Sequence, residues 1–191
     1  RRHREHETGI ARLWDRKDVP APVARYLGRV RAENDGGSLA TYPGSPRIAR
    51  GLLRRGDSLH LFERHPREFE ALQGALGGDR RVHLHEDDGY GGLVALLPPP
   101  SRRGLVLIDP SWETSDEEDR ILRSLRQALE RFATGTYLIW YPVVSRARIE
   151  RFEGRLRAPP FRDVHRYELR IAPDAEGRGM TGSGVFAIHP A

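Results

Sequence analysis

The sequence predicts an α/β fold built on a doubly wound sheet, and three observations predict it. Short segments of strand character recur along the chain after Gly56. Segments with apolar residues at helical spacing separate them, the alternation expected of βαβ units. Gly104–Ile108 (GLVLI) is a continuous apolar run of the kind found at the buried centre of a parallel sheet. A length of 191 residues suits one domain, or one domain with a small insertion.

The elements follow in order. Residues 1–44 read as helical and polar, with Ile10, Leu13 and Trp14, then Val23, Tyr26, Leu27 and Val30, at helical spacing. Asn34-Asp35-Gly36-Gly37 predicts a loop. Ser45 before Pro46 has the chemistry of an N-cap and first helical position, and Ile48, Ala49, Leu52 and Leu53 supply an apolar face. Ser58–Glu63 and Arg81–His85 are predicted strands, separated by a helix over Pro66–Leu76 that places Phe69, Leu72 and Leu76 on one face. A short helix over Gly89–Leu97 stops at Pro98-Pro99-Pro100. After the Gly104–Ile108 strand, Ser115 and Glu118 predict a capping box for a helix through Phe132. Its core face would be Ile121, Leu122, Leu125, Leu129 and Phe132. Thr136–Tyr141 is a fourth strand and a helix over Arg146–Leu156 follows. His165–Ile171 and Gly184–His189 read as a terminal strand pair joined by a polar turn.

Composition narrows the classes of function. There is no cysteine, which excludes disulfides, thiolate nucleophiles and cysteine-ligated zinc. No apolar run is long enough to span a membrane and no secretory signal is visible, so a cytoplasmic setting with no membrane partner is expected. Net charge is +5, and Lys17 is the only lysine among the basic residues. Genomic base composition accounts for most of the arginine bias, while the positive charge makes a polyanion a suitable partner. The chain opens on Arg1 and its only methionine is Met180, so further residues are expected ahead of Arg1.

In open α/β sheets ligands bind at the carboxyl ends of the strands. Three strands here end in acids: Glu63 after LHLF, Asp88 after RVHLHED and Asp109 after GLVLI. A strand-terminal acid is often only a cap or turn residue, but three along one edge suit a ligand rich in hydroxyl and amino donors. Asp109-Pro110-Ser111-Trp112 resembles the D-P-P-Y type motif of N6-adenine and N4-cytosine methyltransferases. An exocyclic amine conjugated to a purine is a poor nucleophile. A carboxylate and a backbone carbonyl held by a prolyl turn can bind both amino hydrogens, draw the nitrogen toward tetrahedral geometry and free its lone pair. The aromatic residue stacks on the extruded base.

The wider sequence extends the likeness. Tyr42-Pro43-Gly44-Ser45-Pro46, Asp57-Ser58-Leu59, Glu63-Arg64-His65-Pro66, Asp88-Gly89, Ser101-Arg102-Arg103-Gly104-Leu105, Phe132-Ala133-Thr134-Gly135-Thr136-Tyr137, Trp140-Tyr141-Pro142-Val143 and Arg178-Gly179-Met180-Thr181 occur in that order. Over nearly its whole length the chain resembles the RlmJ-type family of 23S ribosomal RNA adenine-N6 methyltransferases. The resemblance implies a Rossmann-like class I methyltransferase sheet with a small helical insertion. Residues 1–44 would be that insertion and 45–191 the methyltransferase core. It implies S-adenosyl-L-methionine as cofactor, ribosomal RNA as partner and no metal. By motif, Ser45 would contact the cofactor, Glu63 its ribose hydroxyls, and Asp88 with Gly89 its adenine. Asp109 would border the cofactor and serve as the catalytic acceptor, with Pro110 shaping the turn and Trp112 stacking on the base.

Two departures from the family pattern stand out. The Gly-rich loop after the first strand and the N-terminal histidines are not present, so residues 1–191 alone are expected neither to hold the cofactor tightly nor to methylate RNA, and the sheet is expected to lack an inner strand and expose apolar edges. The usual D-P-P-Y reads D-P-S-W, which removes a proline that stiffens the turn. Other features carry less. His83 and His85 beside Glu86 invite a metal, although exposed strand histidines are the commoner case. Gly89-Tyr90-Gly91-Gly92 lacks a Walker lysine and the full dinucleotide fingerprint. Gly182-Ser183-Gly184 reads as turn chemistry. Arg146, Arg148, Arg151, Arg155 and Arg157 suit either an RNA surface or a solvated helix face. The competing functions are methylation of DNA adenine and a non-catalytic RNA-binding role.

Overall fold

A computed structural model describes residues 9–34, 37–174 and 179–190. Residues 1–8 of the expected insertion, Asp35 and Gly36 of the expected loop, and Arg178 of the last family string lie outside the described residues. The chain divides into two compact units, residues 1–89 and 90–191.

The first unit opens with a 3-10 turn (Ile10–Leu13) and helix α1 (Ala21–Arg31). Ile10, Trp14, Leu27 and Val30 form a buried cluster that Leu13, Val23 and Tyr26 pack against, which is the helical spacing the sequence displays. Trp14 Nε1 donates to the Gly37 carbonyl at 2.8 Å, and the Asn34 side chain bonds the backbone of Val30, Ala40 and Thr41. Helix α2 (Ser45–Arg50) leads to strand β1 (Leu59–Phe62), helix α3 (Pro66–Leu76) and strand β2 (Val82–His85). β1 and β2 pair in parallel, with Phe62 opposite His85.

Helix α4 (Gly89–Leu96) starts where the units divide. The second unit continues with β3 (Leu105–Ile108), α5 (Glu117–Arg131), β4 (Thr136–Val143), α6 (Arg146–Leu156), β5 (Val164–Arg170) and β6 (Gly182–Ile188). Its sheet runs β3-β4-β6-β5. β3 and β4 are parallel, and β6 lies antiparallel to both β4 and β5. β4 alternates strictly, burying Tyr137, Ile139, Tyr141 and Val143. Those side chains meet Ile121, Leu122, Leu125 and Ala128 of α5 and Ile149, Phe152 and Leu156 of α6 in one core. Fully burying a side chain of this size stabilises by roughly 1.5–3 kcal/mol, so this helix layer anchors the end of the sheet that carries Asp109.

Five expectations need correction. Gly182-Ser183-Gly184, read as turn chemistry, opens strand β6 and pairs with Val143, Pro142 and Tyr141 of β4. The strands form two sheets rather than one. β3 is an edge strand in its sheet, with Leu105 65% and Leu107 45% exposed: not the buried central strand its composition suggests, though an exposed apolar edge of the kind expected where an inner strand is lacking. Burial on both faces needs a layer on each, and β3 meets the helical core only through Val106 and Ile108. The N-cap of α2 is Gly44, not Ser45: the Gly44 carbonyl already accepts from Ile48, so Ser45 is the first helical residue and makes no capping bond. The Ser115–Glu118 capping box does not form either. The N-cap of α5 is Asp116, and Glu118 is drawn away by Arg148 at 2.7 Å and Arg155 at 3.6 Å, because a guanidinium offers a carboxylate more than one backbone N–H does.

Candidate active site

In the first unit, Glu63 and Asp88 follow paired strands and so share one sheet edge. Glu63 is half-buried; its backbone N–H donates to His85, and its Oε1 accepts from the His65 N–H at 2.7 Å. One carboxylate oxygen therefore shapes the turn into α3, whose N-cap is His65. Asp88 is half-buried immediately before α4, and its N–H donates to Asp87 Oδ1 at 2.7 Å. Gly89 brings its backbone close to β1: a Cβ there would stand 3.4 Å from Phe62 Cβ. Ser45 lies exposed at the start of α2. Two carboxylates thus stand at one sheet edge, where they can accept from hydroxyl or amino donors.

On the same face of this small sheet, His60, His83, His85 and Phe62 stack, with ring centroids 4.4–5.5 Å apart. Partial burial and the neighbouring rings hold the His60 imidazole below its ordinary value. Among the described residues no group of three or more His, Asp or Glu side chains is placed to hold a metal, and no helix is long and apolar enough to cross a membrane.

In the second unit Asp109 follows β3 directly, at the carboxyl end of the strand. It remains solvent-accessible, yet the protein around it is dense enough that desolvation raises its carboxyl above the ordinary value. Among the described residues nothing hydrogen-bonds to its side chain, so both oxygens are free to accept. Pro110 is half-buried. Trp112 has φ 59°, a left-handed conformation that a residue of its bulk rarely adopts and that costs on the order of 1–3 kcal/mol.

Several contacts hold that conformation. The Trp112 indole N–H donates to the Trp140 carbonyl at 2.9 Å, and its ring meets Phe152 edge-on at 5.4 Å between centroids. The Arg148 guanidinium lies 5.5 Å from the indole centroid. A cavity of about 140 Å³ borders Trp112 and is lined further by Tyr141, Val144, Phe152 and Phe186. Glu117, buried at the start of α5, accepts from the Tyr90 hydroxyl and from Thr114 Oγ1, tying the loop after Trp112 to α4.

Four of the five arginines at α6 and its C-cap have partners within the second unit, and Arg151 is exposed. Arg146 holds Glu168 through both guanidinium amines at 2.8 and 2.9 Å; Arg148 and Arg155 hold Glu118, and Arg157 holds Glu153 at 2.8 Å. Sequence reading missed Glu118 and Glu168 as partners. Their separations from Arg148 and Arg146, 30 and 22 residues, carry no local signal.

The family described as ribosomal RNA large subunit methyltransferase D, RlmJ, matches residues 1–191. Two curated relatives carry the name ribosomal RNA large subunit methyltransferase J. The one from Escherichia coli (strain K12) is 44% identical over 186 residues, 97% of this chain and 66% of the relative. The one from Haemophilus influenzae is 43% identical over 187 residues, again 97% and 66%. The chain therefore spans 66% of the length of the curated relatives it matches. The crystal structure of protein LPL1258 from Legionella pneumophila superposes with a TM-score of 0.90 at 38% identity, covering 100% of this chain and 71% of that one. A SAM-dependent O-methyltransferase from Thermotoga maritima shares the fold alone, with a TM-score of 0.50 at 13% identity over 95% of this chain and 70% of that one. The α/β Rossmann-like fold expected from the sequence is thus the fold of this chain.

Proposed function

Because the chain belongs to the ribosomal RNA large subunit methyltransferase D, RlmJ family, we propose that the protein carrying it methylates the N6 amino group of an adenine in 23S ribosomal RNA, with S-adenosyl-L-methionine as methyl donor. The observation that carries this reading is Asp109: an accessible carboxylate with no competing partner among the described residues, at the end of β3 and beside an aromatic residue locked in place. The Asp109 carboxylate accepts one amino hydrogen of the adenine and a backbone carbonyl of the turn after it accepts the other. The nitrogen lone pair is released from conjugation and the base stacks against Trp112. The cofactor, when bound, supplies an electrophilic methyl group. Glu63 would hold its ribose hydroxyls with the oxygen that His65 leaves free, Asp88 with Gly89 its adenine, and Ser45 would lie beside it. Residues 1–44 would be the insertion ahead of the methyltransferase core, and the cytoplasm is the compartment in which this substrate is made.

The experiment uses the complete gene product, methyl-labelled cofactor, protein-free 23S ribosomal RNA and duplex DNA in parallel. Label in the RNA supports the proposal. Label in the DNA alone makes this a DNA adenine methyltransferase. RNA binding without transfer or cofactor affinity makes it a non-catalytic RNA-binding protein.

A further inference from the structure

Trp112 holds a left-handed backbone in a turn whose third residue is Ser111 rather than a proline. A proline at 111 would fix its own φ and restrict the residue before it, removing freedom from the segment that aims Asp109. Serine removes none. The structure supplies a different restraint. From α6, Arg148 Nη1 donates to the Trp112 carbonyl at 3.2 Å, while its guanidinium lies 5.5 Å from the indole centroid. Its Nε donates to Glu118 Oε1 at 2.7 Å, and the Glu118 side chain is only 14% exposed. The Arg148 backbone N–H is in turn bound by Ser145 Oγ at 3.4 Å, at the start of α6. One side chain thus ties the strained carbonyl and the ring of Trp112 to two helices that pack in the main core.

We propose that Arg148 is a positioning residue for the Asp109–Trp112 turn, restraining at its Trp112 end a segment that a proline at 111 would restrain one bond earlier, at 110 and 111. The proposal rests on Asp109 being the catalytic acceptor. The planar guanidinium suits the task because it can donate to a carbonyl and a carboxylate from fixed directions while presenting its face to an aromatic ring. A lysine ammonium has no such fork. With Nε and Nη1 engaged in these contacts, its assigned part is to hold the turn.

The test is a double-mutant cycle in the complete gene product, reading kcat and KM with RNA and cofactor. Arg148→Ala is expected to lower kcat by about tenfold or more, since small misplacement of a reacting group is costly. The KM for S-adenosyl-L-methionine should stay within about twofold. In an S111P background the same change should cost less than about threefold. A kcat within about twofold of the parent for Arg148→Ala, or an equal loss in both backgrounds, overturns the proposal. If Arg148→Ala does not fold, Glu118→Gln replaces it, because it loosens Arg148 without removing it. A drop in kcat that S111P suppresses supports the proposal, and no drop, or one that S111P leaves in place, overturns it. Asp109→Ala runs alongside: activity surviving in that variant defeats the catalytic reading itself, whereas an inactive Asp109→Ala beside an unaffected Arg148→Ala defeats only the proposal about Arg148.

Discussion

Gly184→Ala should be among the most damaging single-methyl changes in the second unit. Gly184 sits in β6 between Tyr141 of β4 and Glu168 of β5. A Cβ there would stand 2.3 Å from both Cζ and Oη of Tyr141 and 2.7 Å from Cε1. Relief requires the ring to move by more than about 1 Å to reach ordinary contact. The Tyr141 ring is buried, stacks on Phe186 at 4.6 Å between centroids, and donates its hydroxyl to Glu168 Oε2 at 2.9 Å. The cavity beside Trp112 can receive part of the displaced ring, at the loss of those two contacts. Overpacking of this kind costs about 1–3 kcal/mol and a hydrogen bond to a charged group about 1.5–3 kcal/mol, together about 3–6 kcal/mol. Urea unfolding followed by circular dichroism measures it. The added Tyr141→Phe change, which removes Oη, should recover part of the loss. A destabilisation under about 1 kcal/mol would refute the packing argument.

Three further outcomes concern the site. Glu63→Ala should weaken S-adenosyl-L-methionine binding by about ten- to a hundredfold, the worth of a charge-assisted hydrogen bond; unchanged affinity by calorimetry would leave Glu63 as the capping group for the turn at His65. Trp112→Ala should raise the KM for RNA more than the Kd for cofactor, since base stacking is worth roughly 1–3 kcal/mol, and the reverse pattern would remove Trp112 from the base site. Burial raises the folded-state pKa of Asp109, so its stabilising contribution is full below the unfolded value and is lost as pH rises through the folded one. The melting temperature of Asp109→Asn relative to the parent should therefore climb as pH rises above the ordinary carboxylate value of about 4, and a difference independent of pH would contradict that environment for Asp109.

What the sequence made legible follows from where each signal lives. Apolar periodicity is local, so the α5 face through Ile121, Leu122 and Leu125 and the alternation along β4 could be read directly. β4 extends two residues past the expected Tyr141, because Pro142 and Val143 still pair with Ser183 and Gly182. The apolar run of β3 was legible as a strand; its composition pointed to the sheet centre because it reports propensity and not which neighbours are present, and the exposed edge was legible only from the family motif missing ahead of it. Capping was misread at Ser45 and Ser115 because it depends on a shift of one residue in backbone geometry, or on a competing arginine 30 residues away. The acids after β1, β2 and β3 were legible from strand order. The hold of Arg148 on Trp112 was not, since tertiary pairing across 36 residues leaves no spacing to detect.

Asp109 is proposed to direct methyl transfer to the adenine N6 nitrogen, and nucleoside mass spectrometry of treated RNA reads out the position that is methylated. The complete gene product, S-adenosyl-L-methionine and protein-free 23S ribosomal RNA should yield N6-methyladenosine. Asp109→Ala, folded and still able to bind cofactor, should yield none above background, consistent with the several kcal/mol, about 2.7–4, lost when one preorganised catalytic group is removed. Near-normal formation of N6-methyladenosine by Asp109→Ala, or methyl appearing at another position of the RNA, would contradict the account.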